Sequence, residues 1–169
     1  MDPVIIKQEF LQLMETNRGI IYKVANSYCY DNEDRKDLVQ EILIQLWGAF
    51  DKYDKQYKLS TWMYRVALNV AISFYRKETR RADVNMPIND AMINVAAGGP
   101  NAELEADISL LQKFINQLNE LDRALMLLYL EENSYREIAE ILGITETNVA
   151  SKISRIKEKL KQKFKTFNN

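Results

Sequence analysis

The sequence predicts an all-α protein with two small helical domains joined by a flexible linker, the C-terminal domain being a helix-turn-helix. Three observations predict it. Apolar residues recur at i, i+3 and i+4 on both sides of a single break, which is the spacing of an amphipathic helix. Helix-interrupting residues are scarce: five Gly and three Pro in 169 residues, and Pro87, Gly98, Gly99 and Pro100 all fall in or beside that break. Near the C-terminus, Gly143 separates two amphipathic runs, where a turn between helices needs it.

The elements follow in order. Phe10, Leu13 and Met14 lie on one face of an opening helix, and Ile20, Ile21, Val24, Ala25 and Tyr28 continue it. Asp31 to Asp34 supply acids that suit the next helix N-terminus. That helix carries Leu38, Ile42, Leu46 and Phe50, then Val39, Leu43 and Trp47, at i, i+4 spacing, with Asp37, Gln40, Glu41 and Gln45 opposite. Asp51 to Ser60 reads as a polar loop bearing Tyr53 and Tyr57. Ser60 and Thr61 are positioned to cap a long helix running to about Arg80. Its core stripe is Trp62, Val66, Val70 and Phe74, and its polar stripe is Arg65, Asn69, Ser73, Arg76 and Arg80.

From residue 82 to 102 the periodicity dissolves, which predicts a tether, with a short helix allowed near Asn89 to Val95. Domains are therefore expected at 1–81 and 103–169. The second holds a helix on Leu110, Leu111, Phe114, Ile115 and Leu118, another over Asp122 to Leu130, a third over Ser134 to Leu142, and a last from Thr145 to about Phe164.

Composition excludes several function classes. Histidine is absent, which removes imidazole acid–base chemistry, His-activated nucleophiles and most zinc sites. Acidic residues are spread along helix faces without a calcium-loop spacing. No catalytic residue, metal, cofactor or small-molecule ligand is expected. The one cysteine, Cys29, excludes an internal disulfide and reads as a small buried side chain. No apolar run is long enough to cross a bilayer and the N-terminus lacks a signal-peptide core, so the expectation is a soluble, cytoplasmic chain without membrane insertion.

Net charge is −1, unevenly spread. Lys152 to Lys165 holds seven basic residues against Glu158, and Arg65 to Arg81 holds five against Glu78. The stretches 31–41 and 101–132 are net acidic. Basic segments suit phosphates; acidic ones suit a basic protein partner.

The strongest motif runs from Tyr135 to Val149. Ala139 is small where two helices cross, and Gly143, four residues on, can end the first helix in the left-handed conformation. Ile138, Leu142, Ile144 and Val149 close a core under the turn, while Ser134 and Thr145 can cap the two helices. This is helix-turn-helix spacing, whose second helix enters the major groove. Its exposed start offers Glu146, Thr147, Asn148, Ser151, Lys152 and Arg155 to DNA; Asn and Arg can each read a base edge for about 1–3 kcal/mol of discrimination. In the first domain, Tyr53, Tyr57, Trp62 and Tyr64 lie close to a basic helix, as holding unstacked bases requires. For Trp62 a plain core role stays open beside that one.

Three stretches, Asp34 to Trp47, Ser60 to Ala71 and the helix-turn-helix through Lys157, together resemble the extracytoplasmic-function (ECF) sigma factors of bacterial RNA polymerase. They resemble, in order, the polymerase-binding helix of region two, the helix after the promoter-reading loop, and region four. The resemblance implies that Asp37, Gln40, Glu41 and Trp47 dock on the polymerase's largest subunit. It implies that loop 52–59, with Asn69 nearby, captures a flipped base of the −10 element. Trp62 and Tyr64 then lie in the segment linked to strand opening, beside Arg65, Arg76 and Arg80. The region-four helix reads the −35 element, and the tether threads towards the active-site channel. Core RNA polymerase and promoter DNA are the implied partners, and an anti-sigma protein is a further partner the family allows. Ala150 and Thr147-Asn148 depart from the family's common pattern, which leaves the promoter sequence open. The alternative reading is a stand-alone helix-turn-helix regulator that binds a palindrome as a dimer. A helical interaction protein with an acidic partner is a third.

Overall fold

A computed structural model describes residues 2–82 and 101–169. The expected tether and its short helix lie outside the described residues. Among the described residues there are seven α-helices, one 3-10 turn and no strand.

The first three helices form the first block: α1 (Pro3–Tyr28), α2 (Asn32–Ala49) and α3 (Leu59–Ala82). Asp2 caps α1, its carboxylate accepting from the Val4 amide at 2.9 Å, and Pro3 supplies a preset φ. Asn17 interrupts the helical dihedrals at φ −112° and ψ 15°. Its amide nitrogen donates to the Leu13 carbonyl at 2.9 Å, a side chain competing for a backbone acceptor, which kinks the helix. Asp31 caps α2, as its sequence position predicts, accepting from the amides of Glu33 and Asp34. Arg35 donates to the carbonyls of Cys29 and Tyr30, so the corner between α1 and α2 has its acceptors satisfied.

α2 buries Leu38, Ile42 and Leu46 completely, each contributing about 1.5–3 kcal/mol. They meet Phe10, Met14, Ile21 and Val24 of α1 and Met63, Ala67, Leu68 and Ala71 of α3 in the core. Cys29 is buried, as its composition argument predicts. Ser60 and Thr61 do not cap α3. The helix starts at Leu59, where a half-buried leucine anchors it, and the Lys58 carbonyl takes the Trp62 amide at 3.2 Å. Ser60 and Thr61 thus sit in the first turn. The expected loop also begins with a 3-10 turn, Phe50–Lys52.

The second block holds α4 (Ala102–Asn116), α5 (Glu120–Leu130), α6 (Tyr135–Leu142) and α7 (Glu146–Phe167). α5 starts two residues before the apolar pattern suggests, because Asn119 caps it by accepting from Asp122 at 2.9 Å. Ser134 and Glu137 form a reciprocal capping box on α6, at 3.1 and 2.8 Å. Gly143 ends α6 at φ 69°, and Thr145 caps α7 by accepting from Asn148. Ile138, Val149, Ile153 and Leu128 fill the core beneath that turn. α5 and α6 also rest against α3, so the two blocks are in contact.

Candidate nucleic-acid interface

The turn between α6 and α7 leaves the start of α7 uncovered. Val149, Ile153, Ile156 and Leu160 repeat at helical spacing and are buried. The opposite side therefore points outward: Glu146, Thr147, Asn148 and Arg155 are exposed, and Ser151 and Lys152 are half-buried. Thr147, Ser151 and Arg155 stand four residues apart, in a row along that outer side. Lys157 sits over the Tyr129 ring at 4.2 Å, and Lys163 donates to Gln117 at 2.8 Å. These two cations also tie α7 to its own block.

On α3 the helical twist sorts the predicted residues. Trp62, Arg65, Asn69, Arg76 and Arg80 share one side, and all but Trp62 are exposed. Tyr64 does not join them. Two residues from Trp62 is about 200° around a helix, so its ring lies in the core, 5 % exposed, and burial pushes its hydroxyl up to about 12. Folded this way, Tyr64 has no face to offer a base. Trp62 is half-buried, with ring contacts to Tyr53 at 4.9 Å and Phe50 at 6.2 Å. One side of Trp62 packs against the core, and another lines a cavity. Tyr53 fixes the loop, its hydroxyl donating to the Tyr57 carbonyl at 2.8 Å.

That cavity, of about 290 Å³, is lined on the first block by Tyr53, Tyr57, Trp62 and Arg65. Its other wall is Ala139, Glu140, Gly143 and Ile144 of the helix-turn-helix. Arg76 does not stand free. It is hydrogen-bonded to Glu120 at 2.6 Å, and that bond holds the Glu120 carboxyl below the ordinary range.

A third surface lies on α2. Asp37, Gln40, Glu41 and Trp47 are exposed on the side away from the core, with Ile44 among them. Ile44 is 61 % exposed and Trp47 45 %. Trp47 meets Phe10 edge-on at 5.0 Å, and Phe10 meets Phe50 at 5.2 Å. A run of aromatic rings therefore links this surface to Trp62. Sequence reasoning missed one residue of consequence, Arg123, which is buried on α5 at 1 % exposure. Its signal was an arginine set among Leu121, Ala124, Leu125 and Leu128.

The comparisons with known proteins follow this division. Residues 13–81 match the Sigma-70 region 2 family and residues 108–160 match Sigma-70, region 4, which together take in well over half of the chain. The ECF RNA polymerase sigma factor SigM of Bacillus subtilis is 28 % identical over 142 residues, covering 83 % of this chain and 86 % of SigM. The RNA polymerase sigma factor NccH of Alcaligenes xylosoxydans is 29 % identical over 157 residues, 89 % of this chain and 84 % of NccH. The chain belongs to the ECF RNA polymerase sigma factors. This sigma factor also shares its fold with solved members. RpoE of Bartonella quintana, in complex with the anti-sigma factor NepR, superposes with a TM-score of 0.69 at 25 % identity, covering 94 % of this sigma factor and 96 % of RpoE. CnrH, in complex with the cytosolic domain of CnrY, gives 0.67 at 21 % identity over 95 % and 90 %, a likeness of fold. As a member of this family, this sigma factor is a transcription initiation factor that directs RNA polymerase to promoters.

Proposed function

We propose how the parts of this sigma factor divide that work. Asp37, Gln40, Glu41 and Trp47 on α2 dock on core RNA polymerase. Tyr53, Tyr57 and Trp62, with Arg65, Asn69, Arg76 and Arg80, hold a strand of the −10 element as it unstacks. Glu146, Thr147, Asn148, Ser151, Lys152 and Arg155 present α7 to the −35 element. Domains at 1–81 and 103–169 separate the two tasks. An anti-sigma protein, such as the NepR bound by RpoE, is a partner this arrangement would accept.

The observation that carries the reading is the uncovered side of α2. A helix that buries three residues completely and leaves Ile44 and part of Trp47 open to water carries an apolar patch on its outer side. The test is a pull-down of bacterial core polymerase with the purified protein, followed by run-off transcription on genomic fragments. Stable binding with discrete new transcripts is expected. Retention of a palindromic duplex without polymerase binding would replace the proposal with the stand-alone regulator.

A further inference from the structure

We propose that the cavity between Trp62 and the helix-turn-helix is a binding site for a small alkylated ammonium ion. Its volume, about 290 Å³, stands at the small end for ligand sites, which run upward from about 300 Å³. Its lining comes from residues far apart in the chain, so composition alone predicts no ligand.

Three aromatic rings, Tyr53, Tyr57 and Trp62, line one wall. The face of such a ring is the negative part of its quadrupole and attracts a cation. Elsewhere the protein covers ring faces with its own cations. Arg123 stands over Tyr28 and Tyr75, Lys157 over Tyr129 and Lys163 over Phe114. Among the described residues no cation stands over Tyr53, Tyr57 or Trp62. Lys58, next in sequence to Tyr57, turns to Glu137 at 2.7 Å instead. The rings of this wall are thus left for a cation from outside.

The charged groups agree. Two carboxylates, Asp54 and Glu140, face the cavity from opposite walls, against one guanidinium, Arg65. Arg65 is exposed, and its long stem lets the charged head stay in water. The Glu140 pair with Arg136 is long, at 3.6 Å, and exposed. The field therefore favours a cation and opposes an anion. Ala139, Gly143 and Ile144 add apolar surface, which suits alkyl groups better than a bare, strongly hydrated ammonium.

Thr61 supplies a polar contact. It lines the cavity at 6 % exposure. Thr16, Thr79 and Thr166 turn their hydroxyls to the carbonyl four residues back. At Thr61 that carbonyl, of Tyr57, already accepts from the Tyr53 hydroxyl at 2.8 Å. The Thr61 hydroxyl has no partner among the described residues, and a buried hydroxyl without one is costly. A ligand carrying a hydroxyl beside its ammonium would satisfy it. In the proposed function the same rings receive the −10 strand, so ligand and strand would exclude each other. That consequence rests on the proposed function; the site does not.

The test titrates the free full-length chain with choline, whose trimethylammonium head and hydroxyl match the rings and Thr61. In Trp47→Phe protein, Trp62 fluorescence should change saturably, with sodium chloride of equal strength as the blank. Calorimetry should give one site with a dissociation constant on the order of a millimolar, as suits so small a ligand. The uncharged alcohol 3,3-dimethylbutan-1-ol, of the same shape, should bind about tenfold more weakly, and ethanolamine should also bind more weakly than choline. Tyr57 and Glu140 are exposed, so Tyr57→Leu and Glu140→Gln should keep helicity by circular dichroism. Each should weaken choline several-fold. No saturable change well above that constant would overturn the site. Equal binding of the uncharged alcohol, tighter binding of ethanolamine, or indifference to either variant would overturn the assignment of the ligand. None of these readouts uses polymerase or promoter. A failed run-off experiment would therefore sink the proposed function and leave this site standing, and the reverse also holds.

Discussion

Arg155 and Asn69 stand on the outer sides of different helices, so they test separately the two surfaces proposed to face DNA. Arg155→Ala should cost about 1–3 kcal/mol of promoter discrimination if its guanidinium reads a base edge, measured as lost run-off transcript from −35-dependent templates. Asn69→Ala should impair promoters with a weakened −10 element more than it impairs duplex retention; equal loss of both would make Asn69 structural. Cys29 gives a pH prediction. Burial, with Asp34 adding to it, pushes its thiol up to about 11, against roughly 8.5 for a free thiol. The folded state thus favours the neutral thiol, whose contribution to stability is full below pH ~8.5 and lost as pH rises towards 11. At pH 8, iodoacetamide should alkylate it about 200-fold more slowly than a free thiol, and the rate should climb with pH. At this scale the sequence was legible where periodicity decides. Asn69, Arg65 and Arg155 fall outside because their apolar neighbours fall inside. Tyr64 was misjudged because closeness in sequence is not closeness around a helix. Arg123 was missed because its acceptors are the backbone carbonyls of Ser27, Asn116 and Leu118, and carbonyls carry no mark in a sequence.

Each element of the helix-turn-helix has its start or stop written in side chains, and so this part read most directly. Ser134, Gly143 and Thr145 all take the roles their positions suggest. Gly143 needs the left-handed conformation at φ 69°, yet an added methyl there would meet nothing within 4 Å. Gly143→Ala should therefore cost only the conformational penalty, about 1–2 kcal/mol, seen as a lower Tm without loss of the folded baseline. A larger loss would mean that the turn is packed more tightly than its geometry indicates. Helix starts elsewhere were less legible. Leu59 begins α3 through packing and Asn119 begins α5 through its amide, and neither competes well on paper with the serine and acids nearby. Tertiary burial chose in the first case and a specific cap in the second.

For the whole molecule, the contact between blocks was invisible in the sequence. Two basic and two acidic stretches could be counted, but not which would meet. Salt separates the two kinds of contact now evident. In 1 M salt the screening length falls to about 3 Å from about 8 Å at physiological strength. The exposed pairs Lys23–Glu131, Lys58–Glu137 and Arg76–Glu120 should then weaken, while buried Arg123 keeps its bond to the Ser27 carbonyl. Acrylamide quenching of Trp62 in Trp47→Phe protein should therefore rise little in high salt. A large rise would assign the contact between the blocks to the surface pairs.

The capping box of α6 has a consequence for how such a protein can evolve. Glu137 serves its own helix through Ser134 while reaching Lys58 across the interface, and Glu120 opens α5 where a carboxylate is favoured in any case. Replacing either acid disturbs the start of its own helix. The side chains of Lys58 and Lys23 cap no helix, so sequence drift can change these contacts between the blocks from the first block's side alone. Paralogues within one genome could thereby differ in how firmly their blocks are held together while the capped helices stay the same.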